Sequence, residues 1–136
     1  MTTVEPSCEL GPVPGARLER SPQAAVQARR MARAFLGGLP RPVPREASEA
    51  VTLVVSELVT NVVRHAHGRL CSLDLRDVGH GVGISVTDDD PEPPRPRRLD
   101  LTGQGGFGWP LVRRLSSELT VLPRPDGKTV RAVVSF

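Results

Sequence analysis

The chain has 136 residues, enough for one domain and too few for two independent cores. Apolar residues make up 38%, and no apolar run approaches the roughly 18 residues of a membrane-spanning helix. The net charge is only +3, acids are interspersed among the bases, and three Phe, one Trp and no Tyr offer few stacking platforms, so a nucleic-acid groove is not indicated.

Residues 1–15 carry Pro6, Gly11, Pro12, Pro14 and Gly15 and read as a flexible tail, leaving 16–136 as the folded domain. The first 14 residues lack the basic and apolar regions of a signal peptide, so a cytoplasmic location is expected. A short strand is expected over Ala16–Glu19. Ser21-Pro22 then suits an N-cap followed by Pro at the first helical position. The helix should run from about Pro22 to Leu36, with Ala25, Ala28, Ala32 and Phe35 on one face and Gly37-Gly38 ending it.

After the stiff connector 39–44, a second helix is expected over Arg45–His65. Its Val51, Val54, Val55, Leu58, Val59 and Val62 form a broad apolar stripe. Residues Leu70–Arg76 and Val82–Val86 alternate at period two around a Gly-containing turn, the pattern of a hairpin. An acid- and proline-rich stretch begins at Asp88, and irregular chain extends to Gly108. That is long for a connector, and such segments are often functional lids. A third helix is expected from Trp109-Pro110 to about Ser117. Strands over Glu118–Leu122 and Thr129–Ser135 flank a Pro125-Asp126-Gly127 turn. Strands joined by short turns imply a mostly antiparallel sheet, which three helices must cover on one face. The fold class is therefore α+β, a two-layer α/β sandwich.

Cys8 and Cys71 have neither CxxC spacing nor a neighbouring His in ligand spacing, which argues against a metal or disulfide framework. Four other features bear on chemistry. Glu57 and Asn61 stand at i and i+4 on the second helix, so both project from one side. A solvated helix edge is the ordinary account of such a pair. The chemical account is a carboxylate that orients or deprotonates a hydroxyl, beside an amide oxygen that ligates hydrated Mg²⁺. His65, one turn on, suits the negative end of the helix dipole together with Arg64.

Asp88 closely follows the expected strand Val82–Val86 and opens the irregular stretch, and a carboxylate at a strand end can accept a hydrogen bond from an exocyclic amine such as adenine N6. As a plain loop acid it competes with Asp89 and Asp90. Gly103, Gly105 and Gly108 match G-x-G-x-x-G, but no buried strand precedes them and no βαβ unit follows, so this is not a dinucleotide-binding fingerprint. Bare backbone N–H groups just ahead of a helix N-terminus still suit phosphate; a hinge loop is the alternative. Gly127-Lys128-Thr129 resembles the end of a P-loop, yet the required first Gly falls at Leu122 and a strand follows it, so it is not one.

The order of these features is more informative than any one of them. Val55–Ala66 (VSELVTNVVRHA) resembles the N box of the GHKL, or histidine-kinase-like, ATPases, and most of all the stand-alone anti-sigma factor serine kinases common in actinobacteria. Gly105–Val112 (GGFGWPLV) is similar to their second glycine box, and Ser85–Asp88 to the start of the first. The resemblance spans about Ala16 to Phe136. Two departures stand out. Asp88 is followed by Asp-Asp-Pro-Glu where the family has D-x-G-x-G, and Trp109-Pro110 replaces a small aliphatic pair.

The resemblance implies a Bergerat-type ATP-binding fold with ATP and Mg²⁺ as cofactors. It implies that Asn61 chelates the Mg²⁺ on the phosphates and that Glu57 is the catalytic base or polarising group. Asp88 would contact adenine N6, and Gly106 and Gly108, with Gly103 and Gly105 adjoining, would support the lid and phosphates. Thr129 would lie on the adenine side, with His65 at the tail of the N box. The activity implied is that of a serine/threonine protein kinase acting on an anti-anti-sigma (STAS) partner. The alternative is a catalytically weak or inactive ATP-binding module that sequesters a sigma factor or another regulator. Homodimerisation is also implied; a membrane partner is not.

Overall fold

A computed structural model describes residues 13–19, 21–65, 70–88, 108–125 and 127–136. Five strands and three helices follow one another as β1 (Val13–Glu19), α1 (Ala24–Gly37), α2 (Arg45–His65), β2 (Leu70–Asp77), β3 (Gly81–Asp88), α3 (Gly108–Leu115), β4 (Glu118–Arg124) and β5 (Gly127–Ser135). The strands form one sheet in the order β1-β2-β3-β5-β4, and every neighbouring pair is antiparallel. Both edge strands contain a proline, Pro14 in β1 and Pro123 in β4, where a missing N–H costs least. The expected α+β two-layer sandwich with a mostly antiparallel sheet is the observed fold.

The core lies between one face of the sheet and the helices. Alternate residues of the central strands point into it: Leu73 and Leu75 from β2, Val82, Ile84 and Val86 from β3, and Ala132 and Val134 from β5. The α2 stripe of Val51, Val54, Val55, Leu58, Val59 and Val62 meets them, as the periodicity predicts. α1 contributes Ala24, Ala28, Ala32 and Leu36, a row at strict four-residue spacing whose small side chains let the helix lie close. Ala25 and Phe35, expected in that row, are only half-buried beside it. α3 inserts Val112, with Trp109 and Leu115 packed at its margin.

Several boundaries differ from the sequence expectation, among them α3, which ends at Leu115, and β4, which runs on to Arg124. β1 begins at Val13, inside the segment read as tail, and its register with β2 shifts between Val13 and Ala16. α1 begins at Ala24, not Pro22. Ser21 closes a turn through its backbone carbonyl, which accepts the Ala24 N–H at 3.0 Å, and no side chain caps the helix. β3 runs through Asp88, so this residue ends a strand and does not open a loop. β5 begins at Gly127, so Lys128 and Thr129 belong to the ladder.

The β2–β3 turn is tight. Gly79 adopts φ +90° and donates its N–H to Asp77 Oδ1 at 2.9 Å. Gly81 packs directly on the next strand, where a Cβ would run into the Val134 carbonyl. Among the described residues no helix is long and apolar enough to cross a membrane.

Candidate functional site

α2 packs over β3 and β5, and the chain then places its C-terminal half at a defined end of the sheet. α2 ends at His65 and β2 opens at Leu70, a step that reaches at most ~18 Å. Cys71, the second residue of β2, pairs with Asp88, the last residue of β3. Asn61 and His65 therefore belong to the same end of the layer as Asp88.

Around α2, Ser56 receives a 3.0 Å hydrogen bond from Arg29 of α1. Asn61 lies five residues on, ~140° around the axis. α1 thus covers one flank of α2, and the edge bearing Glu57 and Asn61 is a different one. Both residues are half-buried. Among the described residues the Asn61 amide nitrogen is buried without a hydrogen-bond partner. An orphaned donor of this kind costs stability and calls for an explanation, of which an acceptor supplied by a ligand is one.

Asp88 closes the helix-facing row of β3. Residues directly opposite across an antiparallel pair share a face, so Cys71, Asp88 and Lys128 stand side by side there. Lys128 Nζ lies 2.9 Å from Asp88 Oδ2, with the carboxylate side chain 3% exposed and the lysine 15%. The next row inward is apolar, with Leu73, Val86 and Val130.

Thr129 is not brought to this face. It is paired with Thr87, and the two hydroxyls share a 2.8 Å hydrogen bond on the side of the sheet away from the helices. There they line a groove of about 220 Å³ with Arg76, Ser85 and Arg131. The position that β5 turns toward Asp88 is Lys128. Strand parity carries that signal, because Lys128 continues the row of Val130, Ala132 and Val134. With the strand expected to start at Thr129, Lys128 falls between turn and strand and the sequence does not single it out.

Gly108 opens α3, which packs against α2. Gly103, Gly105 and Gly106, like Asp89 and Asp90, lie outside the described residues, and so does the side chain of His65.

The donor set fits a nucleotide-borne metal. Among the described residues no group of three His, Cys, Asp or Glu side chains could form a metal cage. A Mg²⁺ ion held at Asn61 would thus take most of its oxygens from phosphate and water, the usual pattern for this cation. The Asn61 amide oxygen suits the ion, and the orphaned nitrogen suits a phosphate oxygen.

Comparison with known proteins identifies the family and the fold. The family described as histidine kinase-like ATPase domain matches residues 18–134. A solved structure, the histidine kinase domain of a blue-light activated histidine kinase from Erythrobacter litoralis, is similar at a TM-score of 0.52 and 24% identity. The match covers 81% of this chain and spans 63% of that domain. No curated protein matches the chain. The chain belongs to the histidine kinase-like ATPase family, whose fold is built to bind ATP.

Proposed function

We propose that this ATP-binding domain is a serine/threonine protein kinase of the anti-sigma type, which passes the γ-phosphoryl group of ATP to a hydroxyl of an anti-anti-sigma (STAS) partner. The observation that carries the proposal is the Glu57/Asn61 edge of α2, where a carboxylate stands one turn before an amide whose nitrogen is buried and orphaned. That spacing puts a proton acceptor next to a phosphate-and-metal anchor on one rigid helix.

Each residue has a defined part in this reading. Asp88, buried at the strand end, accepts a hydrogen bond from the base. Asn61 anchors the phosphates and the Mg²⁺, whose chemistry is to neutralise charge on the transferring group. Glu57 orients the incoming hydroxyl and takes its proton as the new oxygen–phosphorus bond forms and the bond to ADP breaks. Little covalent work falls to the protein, so positioning and charge neutralisation supply most of the rate. Gly103, Gly105, Gly106 and Gly108 are assigned to the phosphates and to the cover over them, and His65 to the end of the same helix.

The direct test is transfer of label from γ-phosphate-labelled ATP to a STAS-domain protein of the same organism. Label on a Ser or Thr of the partner, lost in Glu57→Gln, is the expected result. ADP binding without any transfer would leave the chain a nucleotide-dependent binding module and would overturn the kinase assignment.

A further inference from the structure

The one lysine of the chain is placed against the carboxylate that the nucleotide reading assigns to the base. From this we infer that Lys128 is a base-reading residue, which with Asp88 presents a hydrogen-bond donor and an acceptor to the edge of adenine that carries N1 and the 6-amino group. The inference rests on the nucleotide-site reading above and adds to it a residue that determines base recognition.

The Asp88 side chain is 3% exposed and Lys128 15%, and both stand on the helix-facing side of the sheet, next to an otherwise apolar row. Holding β3 against β5 does not require charge, since an apolar pair of similar volume at one register position holds two strands at least as well. A pair whose only task was to join the strands would be a costly solution. A pair that stands at the mouth of a ligand site has a second use for its polar atoms.

An ammonium carries three N–H donors, and Asp88 Oδ2 takes one of them at 2.9 Å. Asp88 makes a further contact besides Lys128, and a carboxylate, with about four lone-pair sites over its two oxygens, can accept from more than two donors. The two groups therefore offer an incoming base an acceptor beside a donor. Adenine matches them with the 6-amino N–H on Asp88 and N1 on Lys128. Without Lys128 the N1 atom would have to find its donor elsewhere.

The sequence narrows where else that donor could be. The chain leaving Asp88 reads Asp89-Asp90-Pro91-Glu92-Pro93-Pro94, with no glycine before Gly103. Prolines have no N–H, and only glycine lets the backbone approach a planar ring without a Cβ in the way. A flexible side-chain donor on the neighbouring strand supplies what this backbone is poorly composed to give.

The test uses the whole chain and isothermal titration with ADP and with 1-deaza-ADP, in which N1 is replaced by C–H, both with Mg²⁺. The wild-type chain should bind 1-deaza-ADP roughly tenfold or more weakly than ADP, the worth of a hydrogen bond to a charged donor. In Lys128→Met, ADP should bind as weakly as 1-deaza-ADP does in the wild type, with no further loss on removing N1. Lys128→Gln, which keeps an N–H donor and tests whether lost charge alone disturbs the fold, should recover part of the preference for ADP. Equal affinities for the two ligands in the wild-type chain would overturn the inference while leaving nucleotide binding intact, and that comparison needs no variant to fold. A parallel loss for both ligands in Lys128→Met would likewise reduce Lys128 to a structural partner of Asp88. Failure of the wild-type chain to bind ADP at all would instead overturn the nucleotide-site reading, and the inference with it.

Discussion

Arg41 and Asp77 tie the connector between α1 and α2 to the end of the sheet opposite Asp88. Arg41 Nη1 lies 2.9 and 2.8 Å from the two carboxylate oxygens of Asp77, and its guanidinium stacks 5.1 Å from the centre of the Phe136 ring. The helix layer is thereby anchored at one end, and the Glu57/Asn61 edge stands toward the other. Arg41 holds the Asp77 carboxyl below its ordinary value of 3.8, opposed by partial burial and helped by the Gly79 N–H.

A carboxylate whose folded-state pKa is depressed contributes stability above its unfolded pKa and loses it as pH falls through the folded value. Asp77→Asn, which keeps the shape and an acceptor for Gly79, should therefore cost about 1 kcal/mol at pH 7, a modest figure because the pair is part-exposed. The difference from wild type should hold constant from pH 7 to about 5 and shrink below about pH 4. Urea titrations of both proteins across that range provide the check.

Two glycines give opposite predictions for the same substitution. At Gly81 an added Cβ meets the Val134 carbonyl, so Gly81→Ala must push β3 from β5 and should cost about 2–3 kcal/mol. At Gly37, the last residue of α1, an added Cβ has nothing within 4 Å. Gly37→Ala should stabilise by roughly 0.5 kcal/mol through the smaller backbone entropy lost on folding. Thermal unfolding by calorimetry would separate the two.

Glu57→Gln removes the proton acceptor while keeping the size and half-buried position of the side chain. ADP affinity should stay within about threefold of wild type, because the residue is not assigned to ground-state binding. The rate of phosphoryl transfer should fall by ~10² or more, as expected for a lost general base. Single-turnover assays with labelled ATP separate binding from chemistry.

Much of this arrangement was legible in the sequence. α2 was readable to the residue, because six apolar positions repeat on one helical face and Pro44 sets the start. The antiparallel sheet followed from hairpin spacing. The strand ends were harder to read. The sequence pattern of β3 stops at Val86, because Thr87 and a run of aspartates look like loop, yet the ladder with β5 continues to the Asp88–Lys128 pair. The facing partner of Asp88 depends on strand register, a tertiary property: β5 starts two residues before the expected Thr129, and Thr129, placed on the adenine side by the family resemblance, points to the other face of the sheet. Val13–Gly15 reads as tail because Pro14 and Gly15 argue against a strand everywhere but at an edge, where β1 lies. The Glu57/Asn61 pair could be singled out by spacing, but the orphaned amide nitrogen is visible only once the helices are packed.

The central claim is a nucleotide site anchored by Asn61, and the most direct measurement is thermal unfolding with ADP or ATP, with and without Mg²⁺, for wild type and Asn61→Ala. Because the Asn61 amide nitrogen is buried without a partner among the described residues, its loss should change the unliganded stability by less than about 1 kcal/mol. For wild type, nucleotide at a hundredfold excess over Kd should add about 2.7 kcal/mol in the presence of Mg²⁺, roughly 10 °C for a domain of this size. This Mg²⁺-dependent rise should disappear in Asn61→Ala while the unliganded transition barely moves. An equal rise in both proteins, or none in the wild type, would contradict it.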